Sequence, residues 1–460
     1  MTVIAIACIG IPAIIIIIEK YKQLRKHFRL KYVYNFEKEL KNAKRKPYKP
    51  KKITDGEKTY LGLSENGKEI YMPNNAKHVF VCGTTGSGKT VALSNFIKSG
   101  TDNNYPMLIL DGKGDLGKDS LLYITKKFCA NRKKYIIDFN NPYTSDKYNP
   151  FKNANPSMIK DMLINMTDWS EEHYKLNTER YLQRLINLLY KTNIPLSFKS
   201  IIKYIPTNEF IRLSGELAKQ GVITRAEHNE NINVANISGE IAKSASARFG
   251  TIAESEIGTI FDGTGIDIYT ALKQNAIILF VLNPLMYPEM SPLIGRLILI
   301  DSKQAVQKLF GNLQRTFFIF DEINSYASTA LLDLVNKSRS ANVTCILATQ
   351  SLSDLDFANG EFFKEQIIEN CNNYIVLRQN SATNAENWAN ILGTRKNLDV
   401  TYQLGRDKQG FAKDTGVGSA RPVREFLYHP DDIKTLKTGN AILLSKDNGF
   451  HSKVIIDKPF

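Results

Sequence analysis

Short apolar runs punctuate the chain from residue 78 onward, and they are continuous rather than alternating. They are His78-Val79-Phe80-Val81-Cys82, Met107-Leu108-Ile109-Leu110, Tyr135-Ile136-Ile137, Ala276-Ile277-Ile278-Leu279-Phe280-Val281, Thr316-Phe317-Phe318-Ile319-Phe320, Val343-Thr344-Cys345-Ile346-Leu347-Ala348-Thr349 and Tyr374-Ile375-Val376-Leu377. Runs of this kind, separated by helical stretches, predict a parallel sheet covered on both faces. From Pro156 to Phe249 the period changes. Segments such as Tyr181-Leu182-Gln183-Arg184-Leu185-Ile186 space their apolar residues as a helix does, and no strand pattern competes. The predicted fold class is α/β, with an all-α domain at 156–250 inserted between α/β parts at 53–155 and 251–460. His173, Lys175, Arg180 and Arg184 in this insert are read as a solvated helix face rather than a DNA-contact face.

The first apolar run has a different length and setting. Residues 3–18 are apolar or small, broken only by Gly10 and Pro12. As a helix they reach about 24 Å against a ~30 Å hydrocarbon core, and Met1, Thr2 and a snorkelling Lys20 cover much of the difference. No charge precedes the run and Glu19-Lys20-Tyr21-Lys22 follows it, the reverse of a cleaved signal. Residues 1–19 are therefore predicted to form one N-terminal transmembrane helix, with the N-terminus outside and the remainder in the cytoplasm. A buried core helix is the alternative reading.

Charge sharpens this picture. The net charge is +15, yet residues 19–52 hold fourteen Lys/Arg against three Glu, which leaves only +4 for the rest. The basic balance is thus a local collar at 20–52, expected to meet anionic lipid headgroups at about 1 kcal/mol per basic residue. A hydrophobic share of 43% with 23% charged residues excludes wholesale disorder. Five scattered cysteines without a CxxC point to a reducing compartment and no structural zinc.

The chemistry centres on Gly83-Thr84-Thr85-Gly86-Ser87-Gly88-Lys89-Thr90, which fits G-x-x-x-x-G-K-[ST] between a strand and a helical stretch. The glycines let backbone N–H groups face phosphate oxygens, Lys89 reaches the β/γ-phosphates, and the Thr90 hydroxyl takes a Mg²⁺ position. A helix N-terminus adds partial positive charge. The strand at 316–320 ends in Asp321-Glu322, where Asp321 would hold the Mg²⁺ shell and Glu322 would orient and deprotonate the attacking water. Gln350, after the strand at 343–349, either bonds the lytic water or γ-phosphate or is a solvated cap. Its place on the same sheet edge favours the first reading. The predicted cofactors are ATP and Mg²⁺. Asp111-Gly112-Lys113-Gly114-Asp115 is a glycine-punctuated charged loop to which composition assigns no chemistry.

Together these motifs resemble the VirD4/TraG/TraD family of type IV secretion coupling proteins, the ATPases of bacterial conjugation. The resemblance rests on GTTGSGKT at Gly83, DGKGD at Asp111, YNPF at Tyr148, FFIFDE at Phe317, ATQS at Ala348, AENWANILGT at Ala385 and the segment opening at Val423. It implies a RecA-like P-loop NTPase domain interrupted by the all-α insert. It also implies a homo-hexamer whose sites lie at subunit interfaces, and it places Arg339 as the arginine finger acting on a neighbour's γ-phosphate. Lys77 stands where relatives often carry a nucleotide-contacting arginine, without that residue's planar fork. The implied partners are DNA, single- or double-stranded, with its relaxase, and type IV secretion channel proteins. The implied setting is the bacterial inner membrane. One departure is the single apolar run, where coupling proteins typically carry two membrane helices. The expected function is ATP-driven transfer of relaxase-bound DNA into a secretion channel. Alternatives are an FtsK- or HerA-like translocase, a secretion-assembly ATPase, or a nucleotide-dependent adaptor that recruits protein substrates.

Overall fold

A computed structural model of the chain describes residues 16–24, 57–75, 77–359, 362–406, 412–447 and 449–460. The chain divides into two compact units, one of residues 51–385 and 431–460, the other including residues 386–430. The first unit holds an eleven-stranded sheet made of β1 (Lys58–Ser64), β2 (Glu69–Pro73), β3 (His78–Cys82), β4 (Met107–Asp111), β5 (Lys134–Asp138), β6 (Ile277–Val281), β7 (Thr316–Asp321), β8 (Val343–Thr349), β9 (Cys371–Val376), β12 (Asn440–Ser445) and β13 (Phe450–Ile456). The second holds a two-stranded sheet of β10 (Thr394–Arg406) and β11 (Ala412–Phe426).

The large sheet runs β2-β1-β13-β12-β9-β3-β8-β7-β4-β6-β5. From β9 to β5 neighbours are parallel, and every residue of β3, β4, β6, β7 and β8 is buried. This is what the continuous apolar runs require, since a parallel strand has helices on both faces and no solvated side. Antiparallel pairing of β12, β13, β1 and β2 extends the sheet beyond β9. Register places strand ends side by side: Cys82 faces Thr349, Phe320 faces Leu347, and Asp111 faces Asp321. The loops that follow β3, β4, β7 and β8 therefore leave from one edge.

The helix Lys89–Asp102 covers one face of the sheet through Ala92, Leu93, Phe96 and Ile97. Phe96 meets Phe317 edge-on at 6.2 Å between ring centroids. Between β5 and β6 lie helices only over the span that begins at Pro156: Pro156–Asn165, Glu172–Tyr190, Phe198–Lys203, Thr207–Lys219 and Arg225–Glu254. Their starts carry the expected caps. Asn155 accepts from Met158 N–H ahead of Pro156, and Thr224 with Glu227 forms a reciprocal capping box. Tyr181 anchors this layer, its ring 4.8 Å from that of Phe210 and its hydroxyl donating to the Ile205 carbonyl at 2.6 Å. Of the basic residues on the helix Glu172–Tyr190, Arg180 and His173 are exposed and Arg184 pairs with Glu230.

The Tyr148-Asn149 pair fastens the helical layer to the sheet. Asn149 Nδ2 donates to the Gly263 carbonyl at 2.9 Å and the Leu196 carbonyl at 3.2 Å, so one amide ties the chain leaving the sheet to the chain coming back. The Tyr148 hydroxyl donates at 2.7 Å to Asp301 Oδ2 on the helix Met290–Lys308. Burial holds the Asp301 carboxyl up at about 7, against the lowering effect of that hydrogen bond.

In the second unit β10 and β11 pair antiparallel from Thr394–Phe426 onward, with cross-strand ion pairs Arg395–Glu425 and Arg421–Asp399. The apolar pattern of the sequence predicts no strand in this stretch.

The predicted transmembrane helix 1–19 and basic collar 20–52 lie outside the described residues except for 16–24, which are helical and exposed. Among the described residues no helix is long and apolar enough to cross a membrane.

Removing the Tyr148 hydroxyl leaves Asp301 buried with little compensation, so Tyr148→Phe is expected to cost about 1–3 kcal/mol of stability. Urea unfolding midpoints at constant m-value check this, and an unchanged midpoint would show that the bond contributes nothing.

Candidate functional site

The sheet edge at the ends of β3, β4, β7 and β8 gathers almost every residue that the motifs single out. The 83–90 loop turns back on itself through Gly86 and Gly88, at φ of 74° and 114°, backbone that only glycine adopts without strain. Gly88 then opens the helix Lys89–Asp102. Lys89 is buried, with Nζ donating to the Gly83 carbonyl at 2.9 Å and lying 3.6 Å from Glu322 Oε1.

Glu322 reaches this position because its backbone is left-handed, at φ 50°, an uncommon geometry for a residue with a side chain. Gln350 completes a polar chain. Its Nε2 donates to Glu322 Oε1 at 3.0 Å, while its Oε1 accepts from the Thr85 hydroxyl at 3.1 Å. Thr85, Gln350, Glu322 and Lys89 are thus linked across three loops, the first of which lies more than two hundred residues before the other two.

Asp321 lies beside Asp111, the residue to which sequence reasoning assigned no chemistry. Burial, then the charges of Asp111 and Glu322, push the Asp321 carboxyl up to about 7, while Lys89 opposes the shift. Asp111 is held up at about 6 by burial, although it accepts from the N–H groups of Lys113 at 2.9 Å and Gly114 at 3.1 Å. Only the cross-strand register of β4 with β7 reveals this pair. No motif in DGKGD could have done so.

Four buried polar atoms at this edge lack a hydrogen-bond partner among the described residues: Thr84 Oγ1, Ser87 Oγ, Glu322 Oε2 and Arg378 Nε. Orphaned donors and acceptors around a glycine loop suit a ligand carrying phosphate oxygens, since each unpaired buried group otherwise costs about 1–3 kcal/mol. Thr90 is half-buried one residue past Lys89. Among the described residues no group of three His, Cys, Asp or Glu is spaced to hold a metal ion alone. Magnesium in phosphate sites takes one or two carboxylates together with phosphate oxygens, so Asp321 and Thr90 fit its demand.

Two residues stand apart. Arg339 is exposed in a 3₁₀ turn before β8, at the opposite end of that strand from Gln350, about 20 Å away at 3.3 Å per residue. With burial it lowers the pKa of His78, at the start of β3, to about 4. Lys77 likewise precedes β3 and pairs with Asp447 at 2.6 Å.

Residues 315–438 match the family described as the TraM recognition site of TraD and TraG, and residues 69–278 match the central domain of helicase HerA. The bacterial conjugative coupling protein TrwB, without its first 70 residues, superposes with a TM-score of 0.64 at 19% identity, over 89% of this chain and 90% of that one. Residues 315–438 thus match the TraD and TraG family, and the chain as a whole has the TrwB fold. The likeness in fold extends further: VirB4 of Thermoanaerobacter pseudethanolicus matches with a TM-score of 0.54 at 13% identity, over 88% of this chain and 98% of VirB4. An uncharacterized protein of Mycoplasma pneumoniae is 35% identical over 109 residues, 24% of this chain and 70% of its own length. TrwB has also been solved in complex with ADP and Mg²⁺, a structure that this chain matches with a TM-score of 0.61 at 19% identity, over 92% of each chain.

Because Asp111 and Asp321 have folded pKa values above the ordinary carboxylate value, their contribution to stability is fully present below about pH 4 and lost as pH rises through about 6 to 7. Relative to Asp321→Asn, the nucleotide-free wild-type chain is therefore expected to lose melting temperature between pH 5 and pH 8. Parallel melting curves for the two proteins across that range would contradict the assignment.

Proposed function

We propose that this chain is an ATPase that couples hydrolysis to the transfer of relaxase-bound DNA into a type IV secretion channel. The observation that carries the reading is the Thr85–Gln350–Glu322–Lys89 chain of contacts at a glycine loop with orphaned polar atoms, in a chain matching the TraM recognition site family. The ATP and Mg²⁺ assignment is supported by the nucleotide complexes of the TrwB fold.

Each residue then has a task. Lys89 leaves the Gly83 carbonyl to pair with the β/γ-phosphates, and the N–H groups of the 83–90 loop donate to phosphate oxygens. Thr90 and Asp321 would hold Mg²⁺, which when bound neutralises charge on the phosphates. Burial and the charges of Asp111 and Glu322 favour a proton on the free Asp321 carboxyl, and bound Mg²⁺ would displace that proton, so Asp321 would hold the metal in its ionised form. Freed of Lys89, Glu322 orients a water and accepts its proton, and Gln350 keeps Glu322 in place from the other side. Arg339 cannot reach its own subunit's loop, so it serves a neighbour's γ-phosphate in a homo-hexamer, the arrangement in which arginine fingers raise rates by about 10³–10⁵.

The same reading extends to the rest of the chain. Residues 1–19 anchor it in the bacterial inner membrane, and 20–52 lie on anionic lipid. Residues 53–155 and 251–460 form the motor around the 156–250 insert. A HerA-like DNA translocase is the second reading, favoured by the match of residues 69–278 to the HerA central domain.

ATP turnover by the full-length protein, with and without single- and double-stranded DNA, tests the proposal. Turnover is expected to rise with DNA and to be abolished in Lys89→Ala. Turnover that ignores both DNA and Lys89→Ala would sink it. For the finger, Arg339→Ala mixed with Lys89→Ala is expected to regain activity, because sites pairing an intact loop with a neighbour's intact arginine re-form. Absence of recovery would place Arg339 outside the site.

A further inference from the structure

One arginine next to the phosphate loop buries a guanidinium nitrogen that has no hydrogen-bond partner among the described residues. Arg378 follows β9, and the end of that strand lies against the loop. The Arg378 carbonyl accepts from the Thr84 N–H at 3.0 Å, and Leu377 lies 2.6 Å and 3.3 Å from where a Cβ would stand on Gly83 and Gly88. Arg378 itself is half-buried, and its Nε is buried without a hydrogen-bond acceptor. Arg132 shows the ordinary structural alternative in the same unit. Its Nη atoms donate to the carbonyls of Gly100, Tyr105 and Asn275 at 3.3, 2.8 and 2.9 Å.

A guanidinium keeps its charge under any cellular condition, so the buried Arg378 Nε–H remains a donor in want of an acceptor. Thr84 Oγ1 and Ser87 Oγ, on the loop whose Thr84 N–H the Arg378 carbonyl holds, lack partners as well. Three unmet polar groups around one turn of backbone point to an acceptor-rich ligand rather than to three independent packing faults. The other arginine considered for this chemistry, Arg339, stands at the far end of the parallel strands.

We propose that Arg378 donates in cis to the phosphate chain of the nucleoside triphosphate held by its own subunit's 83–90 loop, as a second cation beside Lys89. The inference rests on the nucleotide-binding reading above. Phosphate oxygens match the planar fork of a guanidinium, and the backbone bond between Arg378 and Thr84 makes the side chain move with the loop that it serves.

Equilibrium titration of the full-length protein with fluorescent ATP and ADP analogues in MgCl₂ decides it, using wild type, Arg378→Ala, Arg378→Gln and Arg378→Lys. Arg378→Ala and Arg378→Gln are expected to weaken ATP binding by about 10- to 100-fold. Arg378→Lys is expected to recover part of the loss, since it restores charge without the fork. Affinity equal to wild type in Arg378→Ala, or in Arg378→Gln should the alanine variant not fold, overturns the proposal. Failure of the wild type to bind either nucleotide overturns the nucleotide reading instead. Melting without nucleotide separates binding from scaffolding. The variants are expected to melt no lower than wild type, and a fall matching the lost affinity would make Arg378 merely structural. Mixing Arg378→Ala with Lys89→Ala subunits is expected to leave turnover lost, and recovery would rule out action in cis.

Discussion

Parallel register sets the ends of β3, β4, β7 and β8 on one line, and the chemistry of the molecule depends on that line. It brings Asp111 opposite Asp321 and carries Glu322 to Lys89, although these residues are far apart in sequence. Out of water, each of these charges is costly unless another compensates it. Three carboxylates crowd one buried ammonium, and the surplus negative charge is relieved by protons on Asp321 and Asp111, which sit near pH 7 and 6. A divalent cation would relieve it more fully. The sheet thus gathers more acid at this edge than its one buried lysine balances.

The phosphate loop is also held through its own backbone. The Arg378 carbonyl holds Thr84 N–H, the Thr438 hydroxyl donates to the Gly86 carbonyl at 3.3 Å, and Gly439 N–H donates to the Ser87 carbonyl at 3.0 Å. Arg378 and Thr438 lie a short way before and after residues 386–430 in the chain. The match to the TraM recognition site family, at 315–438, spans all of this stretch. The loop's backbone is therefore held by segments that frame the hairpin unit in sequence.

Local physics made much of this legible in advance. Continuous apolar runs disclose buried parallel strands, because no residue of such a strand faces water, and the helical period discloses the insert between β5 and β6. The glycine loop needs no tertiary information, since two positive φ angles and a lysine are encoded in eight consecutive residues. What stayed hidden is long-range. Asp111 gains meaning only from its register with β7, and Arg378 only from the burial of one nitrogen beside a loop nearly three hundred residues earlier. The β10–β11 hairpin escaped for a different reason. Its strands interleave charged residues and glycines, and they pair through backbone and cross-strand ion pairs rather than through an apolar stripe.

Lys89 is not idle in the nucleotide-free chain. It is latched between the Gly83 carbonyl and Glu322, which in turn holds Gln350 and through it Thr85. On the nucleotide-binding reading proposed above, an incoming polyphosphate would have to open this latch before the ammonium could turn to it, and Glu322 would be the carboxylate it displaces. The resting contacts thus set a threshold of negative charge that a ligand would have to exceed.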